Sequence, residues 1–392
     1  MPSFWKILTA TCAFALLGPA LAACSGGGMS SNPAASMPSS SNSQAVDTLG
    51  ADPPQNDVDP DNGSSVLKRL DTTTTIGSTV DPINGDQNPY GLDIAPIDAG
   101  LLKAGDLVVC NFNDGPTNTQ GKGTTIVALH PQPGSNPTRV AQHMSLLGCD
   151  ALALAPNDNI WLAAFNANDN PIFAPNGTLV TTLAGGPWHR PFGQTFAPAR
   201  DDHGTPAFYE SNAGDGSIVR ININPGPTFT FDVIATGFAV NGGAPGSILG
   251  PSGLQYDAKH DRLYIVDGAD NTLTSISHVS KIPAGGISVN GTTFGGTFKK
   301  QARSVFSGPP LNGPISSALL PDGHLVLGNT SDPNGSNLMV EIKSDGHLLA
   351  VKNVDTGAAG ALFGMVASGH DAGDTKIYFN DDNDNTVKVL SR

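Results

Sequence analysis

The stretch Gly186-Pro187-Trp188-His189-Arg190-Pro191 sets an aromatic ring, an imidazole and a guanidinium side by side. Histidine titrates near neutrality and arginine presents a planar fork of donors, so the trio suits anion binding or proton transfer. Glu210, one of only two glutamates, and Asp150 stand at comparable points of neighbouring segments. Together these five residues would supply an acid, a base and an anion clamp. In the competing reading, Trp188 packs between structural elements and Arg190 pairs with an aspartate.

A second set is defined by position. Short apolar runs end in Asn111, Asn166, Asn212, Asp267, Asn329 and Asn380, and dense Asn/Asp turns follow several of them. As a metal ring, Asn111, Asn166, Asp267, Asn329 and Asn380 offer the hard oxygens that Ca²⁺ prefers. As structure, they are turn residues whose side chains satisfy local backbone donors. Asp381-Asp382-Asn383-Asp384-Asn385 has the flavour of a calcium loop but lacks the glycine and glutamate of an EF-hand. The nine histidines are scattered, with no His-x-His or His-x₃-His pair, so a histidine metal cluster is not expected. Neither a Gly-x-Ser-x-Gly elbow nor a phosphate loop occurs.

The elements that must position these residues repeat. Gly91-Leu-Asp-Ile-Ala-Pro96, Ala151-Leu-Ala-Leu-Ala-Pro156, Gly193-Gln-Thr-Phe-Ala-Pro198, Gly253-Leu-Gln-Tyr-Asp257, Ser316-Ser-Ala-Leu-Leu-Pro321 and Gly364-Met-Val-Ala-Ser368 are six copies of one strand. Each is followed by a second apolar strand, and third and fourth strands follow in several copies. A period of about 40–60 residues with four short strands per unit predicts an all-β, six-bladed propeller over 64–392. The last unit ends after three strands, at Thr386–Leu390. Ser65-Val-Leu-Lys-Arg-Leu-Asp71 is therefore expected to supply its outer strand and close the ring, leaving no large open edge. Gly286 to Phe298 is the stretch that could hide part of a seventh blade. Abundant Gly, Asn, Asp and Pro agree with a turn-rich, helix-poor chain.

Upstream, residues 1–23 carry Lys6, an apolar run from Ile7 to Leu17 and small residues before Cys24, the pattern of a secretory signal. The Leu21-Ala22-Ala23-Cys24 junction resembles the lipobox of bacterial lipoproteins. That resemblance implies cleavage before Cys24 and acylation of its thiol and amine; plain secretory cleavage after Ala23 is the alternative. Ser25 in the following position implies an outer-membrane anchor in the cell envelope. Residues 24–63, rich in Ser, Gly, Pro and Asn, then read as a tether. In an oxidising compartment Cys110 and Cys149 are expected to form a disulfide between blades one and two. Removing Lys6 with the leader leaves 19 basic against 34 acidic residues, a net of −15. No basic stripe remains to engage nucleic acid. A monomer is expected.

Arg262-Leu-Tyr-Ile-Val-Asp267 with Asp270-Asn271, and Asp158-Asn-Ile-Trp161-Leu, resemble NHL-type propeller repeats. The resemblance implies a binding platform, or, through the related gluconolactonase-like group, a calcium-dependent lactone hydrolase. That group carries a metal-binding Glu at the opening of its first blade, where this chain has Asn88-Pro89-Tyr90-Gly91. The expectation is a lipid-anchored binding module for an unidentified protein or small molecule, with a channel-mouth hydrolase or lyase as the alternative. Cys24→Ala should move the protein from the membrane to the soluble fraction. Mass spectrometry finding an unmodified N-terminus at another residue would end the lipoprotein reading.

Overall fold

The structure, a computed structural model, describes residues 64–199, 205–226, 228–331 and 336–392. The stretches read above as a signal, a lipidated cysteine and a tether lie outside the described residues. Six antiparallel sheets run inner to outer strand. Blade one comprises Gln87–Ile94, Leu107–Asn113, Thr125–Leu129 and Thr138–Gln142. Blade two comprises Cys149–Leu154, Ile160–Ala164, Pro171–Phe173 and Leu179–Thr182. Blade three comprises Pro191–Ala197, Ala207–Asn212, Ser217–Asn224 and Thr228–Thr236. Blade four comprises Pro251–Asp257, Arg262–Asp267, Thr272–Ser277 and Ala302–Ser307. Blade five comprises Pro314–Leu319, Leu325–Asn329, Asn337–Ile342 and Leu348–Asp355. Blade six has Leu362–Ser368, Lys376–Asp381 and Thr386–Ser391, and takes Thr72–Ser78 as its outer strand. The chain is a six-bladed β-propeller, and its inner strands enclose a central channel.

The repeated glycine has a steric cause. Adjacent inner strands approach so closely that a Cβ at Gly193 would lie 1.9 Å from the Ser252 carbonyl oxygen, and one at Gly364 2.3 Å from that of Tyr90. The second strands are apolar on both faces because each blade is sandwiched between two others. Ile160–Ala164 and Leu325–Asn329 are buried throughout. Val108, Cys110, Ile126 and Leu152, Leu162, Phe173 form one such inter-blade layer. The Cys110–Cys149 disulfide, with Cα atoms 5.9 Å apart, crosses it. It joins points 39 residues apart, a closure that stabilises by about 2–4 kcal/mol.

One expectation needs correction, and one open question is answered in favour of six blades. The closing strand is Thr72–Ser78, not Ser65–Asp71. Val66, Leu67 and Leu70 have a spacing that buries them together only if the chain turns, and Arg69 and Leu70 N–H both donate back to the Val66 carbonyl. Glu341 fixes that turn. Its carboxylate accepts from the Val66 and Leu67 amides at 3.0 and 2.9 Å, from the Ser65 hydroxyl, and from His324 Nδ1 at 2.9 Å. The strand itself is four threonines, Ile76 at a bulge, and then Gly77, which passes under the Ser135 carbonyl where no Cβ fits. Threonine favours such a half-exposed pleat. Secondly, Gly286–Phe298 holds no seventh blade. Ile287–Asn290 and Thr293–Gly295 make a hairpin that adds, in parallel, to the outer strand of blade three, with Phe294 and Phe298 covering its core.

Glu341→Ala would leave four buried donors without their acceptor and is expected to lower stability by about 3 kcal/mol or more. Urea melts check this. Deleting residues 64–78 should expose the Thr386–Ser391 edge and produce aggregates on size exclusion; a monomer with an unchanged melt would refute ring closure by this strand.

Candidate functional site in the central channel

The inner strands surround a cavity of about 280 Å³. Its wall carries Asp93, Asp150, Gln194, Gln255, Ser317 and Thr195, interleaved with Tyr90, Phe192, Phe196 and Phe363; none of the lining residues is Lys, Arg or His. Near the N-terminal ends of the inner strands an aromatic cluster packs against the wall. Tyr90 is stacked between Phe112 and Phe363, with centroids 4.2 and 3.8 Å away, and belongs to a cluster with Phe165, Phe192 and Ile315. Ile248 joins that cluster from the segment 239–249, which runs on until Gly246 meets the Gln120 side chain of blade one. Toward the opposite end, Asp93, Thr195, Phe196, Gln255 and Val366 are partly exposed, so the channel opens there.

Asp150 is the outlier of the wall. Only 4 % exposed, it has no hydrogen-bond partner on either carboxylate oxygen. Burial alone raises its pKa well above the ordinary value. Gln194 gives its amide nitrogen to Glu210, which also accepts from Asn170, and the Gln194 oxygen is left without a partner. Burial raises Glu210 far above the carboxylate range despite those two donors. The Ser317 hydroxyl is likewise buried and unpartnered. Burial pushes Asp93 and Asp382 up to about 6, in Asp93 against amide donors from Leu154 and Ile94, and in Asp382 with help from Asp381. Turned with its nitrogen toward Asp382, the Asn88 amide donates at 2.6 Å and accepts from Asn113.

Of the residues singled out by sequence, Asp150 lines the channel, and Glu210 reaches it through Gln194. The Trp188-His189-Arg190 trio is not gathered there. Trp188 is buried among blade-two and blade-three side chains and donates to the Leu183 carbonyl at 2.8 Å. His189 is exposed, 3.6 Å from Asp215. Arg190, with φ +55°, lies over the Phe165 ring and donates to the Gly243 carbonyl at 2.6 Å, pinning the covering segment.

The second-strand Asn/Asp residues work as staples, and none lines the cavity. Asn111 donates to Thr79, Asn212 to Pro187 and Asn329 to Pro310, each in the segment leading into its own blade. Asp267 accepts from Ala239; Asn166 donates to Gly121, and Asn380 to Tyr90 and Gly91. In the 381–385 turn, Asp381 and Asp384 pair with Lys388, and Asn385 accepts from the Asn88 amide. Sequence reasoning missed one trio, Asp322, His324 and Glu341, whose ligand atoms lie within 4.8 Å of one another. The Glu341 oxygens there are already committed to the N-terminal turn.

Among solved structures, a protein described as a gluconolactonase superposes with a TM-score of 0.50 at 11% identity, covering 81% of this chain and 91% of that one. Virginiamycin B lyase from Staphylococcus aureus gives 0.49 at 15% identity, covering 82% and 99%. At these identities the likeness is one of fold. No protein-family model and no curated protein matches the sequence.

The raised acids fix a pH dependence. A carboxyl whose pKa is higher folded than unfolded adds stability below its unfolded pKa near 4 and loses it as pH rises through its folded value. Asp93 and Asp382, at about 6, should therefore make the melting temperature fall between pH 4.5 and 7. Asp382→Asn should flatten that slope in thermal melts; an unchanged slope would show that its carboxyl is not perturbed.

Proposed function

We propose that this protein is a lipid-anchored, extracytoplasmic binding module that holds a small polar ligand in its central channel. The observation that carries the reading is Asp150. A carboxyl buried with no partner costs folding free energy, and such costs concentrate where a ligand supplies the missing contacts. The cavity is at the small end of ligand sites, and a few polar groups set in an aromatic wall are their usual make-up. The closed ring provides a rigid frame for it. The covering segment and the aromatic cluster leave the opposite end as the way in, so the ligand is taken up inside the channel rather than on the loop-rich face.

A calcium-dependent hydrolase or lyase with its site in the same channel is the second reading, favoured by the oxygen-rich wall. Ca²⁺ takes about six to eight oxygens. The wall offers side-chain oxygens of Asp93, Asp150, Gln194, Thr195, Gln255 and Ser317, a set spread over five blades. The wall also lacks a histidine or lysine to share proton transfer with its acids.

Thr195, on the channel wall and partly exposed, provides the test. Thr195→Trp should fill the channel with little change in melting temperature. Small polar compounds that raise the melting temperature of the parent protein should then lose that effect. Retention of every stabilising compound by Thr195→Trp would rule the channel out. Turnover of a lactone that stops on chelation would favour the second reading.

A further inference from the structure

We infer that one rim of the propeller is a docking surface for an anionic lipid bilayer, formed by Lys259, Lys281, Lys299, Lys300 and Arg303 of blade four. This rests on the reading of the protein as lipid-anchored and specifies how the ring meets the membrane. No basic stripe runs along the sequence; the fold gathers one. Between residues 258 and 303 six Lys and Arg stand against three Asp, in a chain of 20 basic and 34 acidic residues. The five named residues are exposed, and among the described residues none of them has an ion-pair partner.

Hydrogen bonds tie the five into one surface at the end where the channel opens. The turn 258–261 follows the inner strand of blade four, and the Val279 amide and Ser280 hydroxyl donate back to Asp261 at 3.1 and 2.7 Å. That sets Lys259 near Lys281. The Ser277 hydroxyl donates to the Gln301 carbonyl at 3.1 Å, beside Lys299 and Lys300, and Arg303 faces Ser275 across the outer ladder. The acids of this rim are already engaged. Asp261 is buried in the bonds just described, Asp257 holds His260 at 2.6 Å, and Asp345 holds His347 at 2.9 Å. Asp267 and Asp270 lie at the other end of the blade. The rim therefore stays positive on a chain of net charge −14.

The point where the described chain begins indicates the partner. Arg303 donates to the Ser344 carbonyl, in the turn that follows Glu341 and Ile342 on blade five, and Glu341 in turn grips Val66 and Leu67. The N-terminal attachment and the basic rim thus share one end of the ring and adjoining blades. The tether 24–63, as a random coil, has a reach of about 35 Å. An acylated Cys24 would keep the rim close to the bilayer, where weak attractions of single basic side chains to anionic headgroups add up. A free polyanion has no such tie to this end of the molecule.

Co-sedimentation with vesicles tests the inference, using the full chain carrying Cys24→Ala, which cannot be acylated at that position. It should bind vesicles of mixed phosphatidylglycerol and phosphatidylcholine but not of phosphatidylcholine alone, and the binding should weaken as salt is raised. Lys281→Glu combined with Lys299→Glu and Lys300→Glu should weaken it about 10-fold or more. The melting temperature should hold, because these side chains have no ion pairs to lose. Lys122→Glu, exposed in the loop between the second and third strands of blade one at the opposite end, should leave binding unchanged. Equal binding by the triple variant, or no binding to the anionic vesicles, would overturn the inference. So would tighter capture of duplex DNA than of those vesicles, which would make the rim a nucleic-acid surface. Failure of the anchoring reading itself would show separately, as an unmodified Cys24 in the parent protein.

Discussion

Pairing of Thr72–Ser78 with Thr386–Ser391 is the constraint on which the remaining architecture depends. Six sheets packed radially are each held by two neighbours, and the ring has no free edge only if its two ends are joined. The joint has two parts. The ladder supplies backbone hydrogen bonds, and Glu341 on blade five captures the turn that precedes it. Blade six is thus completed by chain from the far end of the sequence, while blade five holds that chain in place. The disulfide between blades one and two secures the neighbouring stretch of the ring.

A closed ring can carry groups that a looser fold could not. Asp150, Glu210 and the Gln194 oxygen are buried and incompletely bonded. Each costs free energy that the inter-blade apolar layers must offset. Deep, well-packed second strands such as Ile160–Ala164 and Leu263–Val266 provide that surplus. Of these, Asp150 and Gln194 belong to the channel wall, while Glu210 lies behind Gln194 on the second strand of blade three.

Much of the fold was legible from the chain. A glycine opens four of the six inner-strand copies, with Ala151 and Ser316 in the other two, and an Ala-Pro or Pro-Asp-Gly turn closes four, because small residues are needed where inner strands crowd together. The bridging cysteines were legible from their places in adjacent blades. The closing strand was shifted because Val66, Leu67 and Leu70 are the apolar residues of that region, whereas the strand that closes the ring is mostly threonine. At the site, Asp150 could be named from its position, but its isolation could not. That depends on which donors the neighbouring blades withhold. Trp188 illustrates the reverse. An aromatic beside ionisable residues suggested a binding cluster, yet its ring fills a gap between blades and its neighbours point elsewhere.

The anchored turn at Ser65–Leu70 also has a mechanical meaning. Tension applied to the chain upstream of Ser64 would reach the ring at this point. It would load the bonds to Glu341, and the Lys352 contact to the Leu70 carbonyl, before it could peel Thr72–Ser78 from the last blade. The glutamate thus works as a strain relief between whatever pulls on the N-terminal segment and the seam that keeps the propeller shut. His324, on the turn between the first two strands of blade five, places that strain relief at the end where the channel opens.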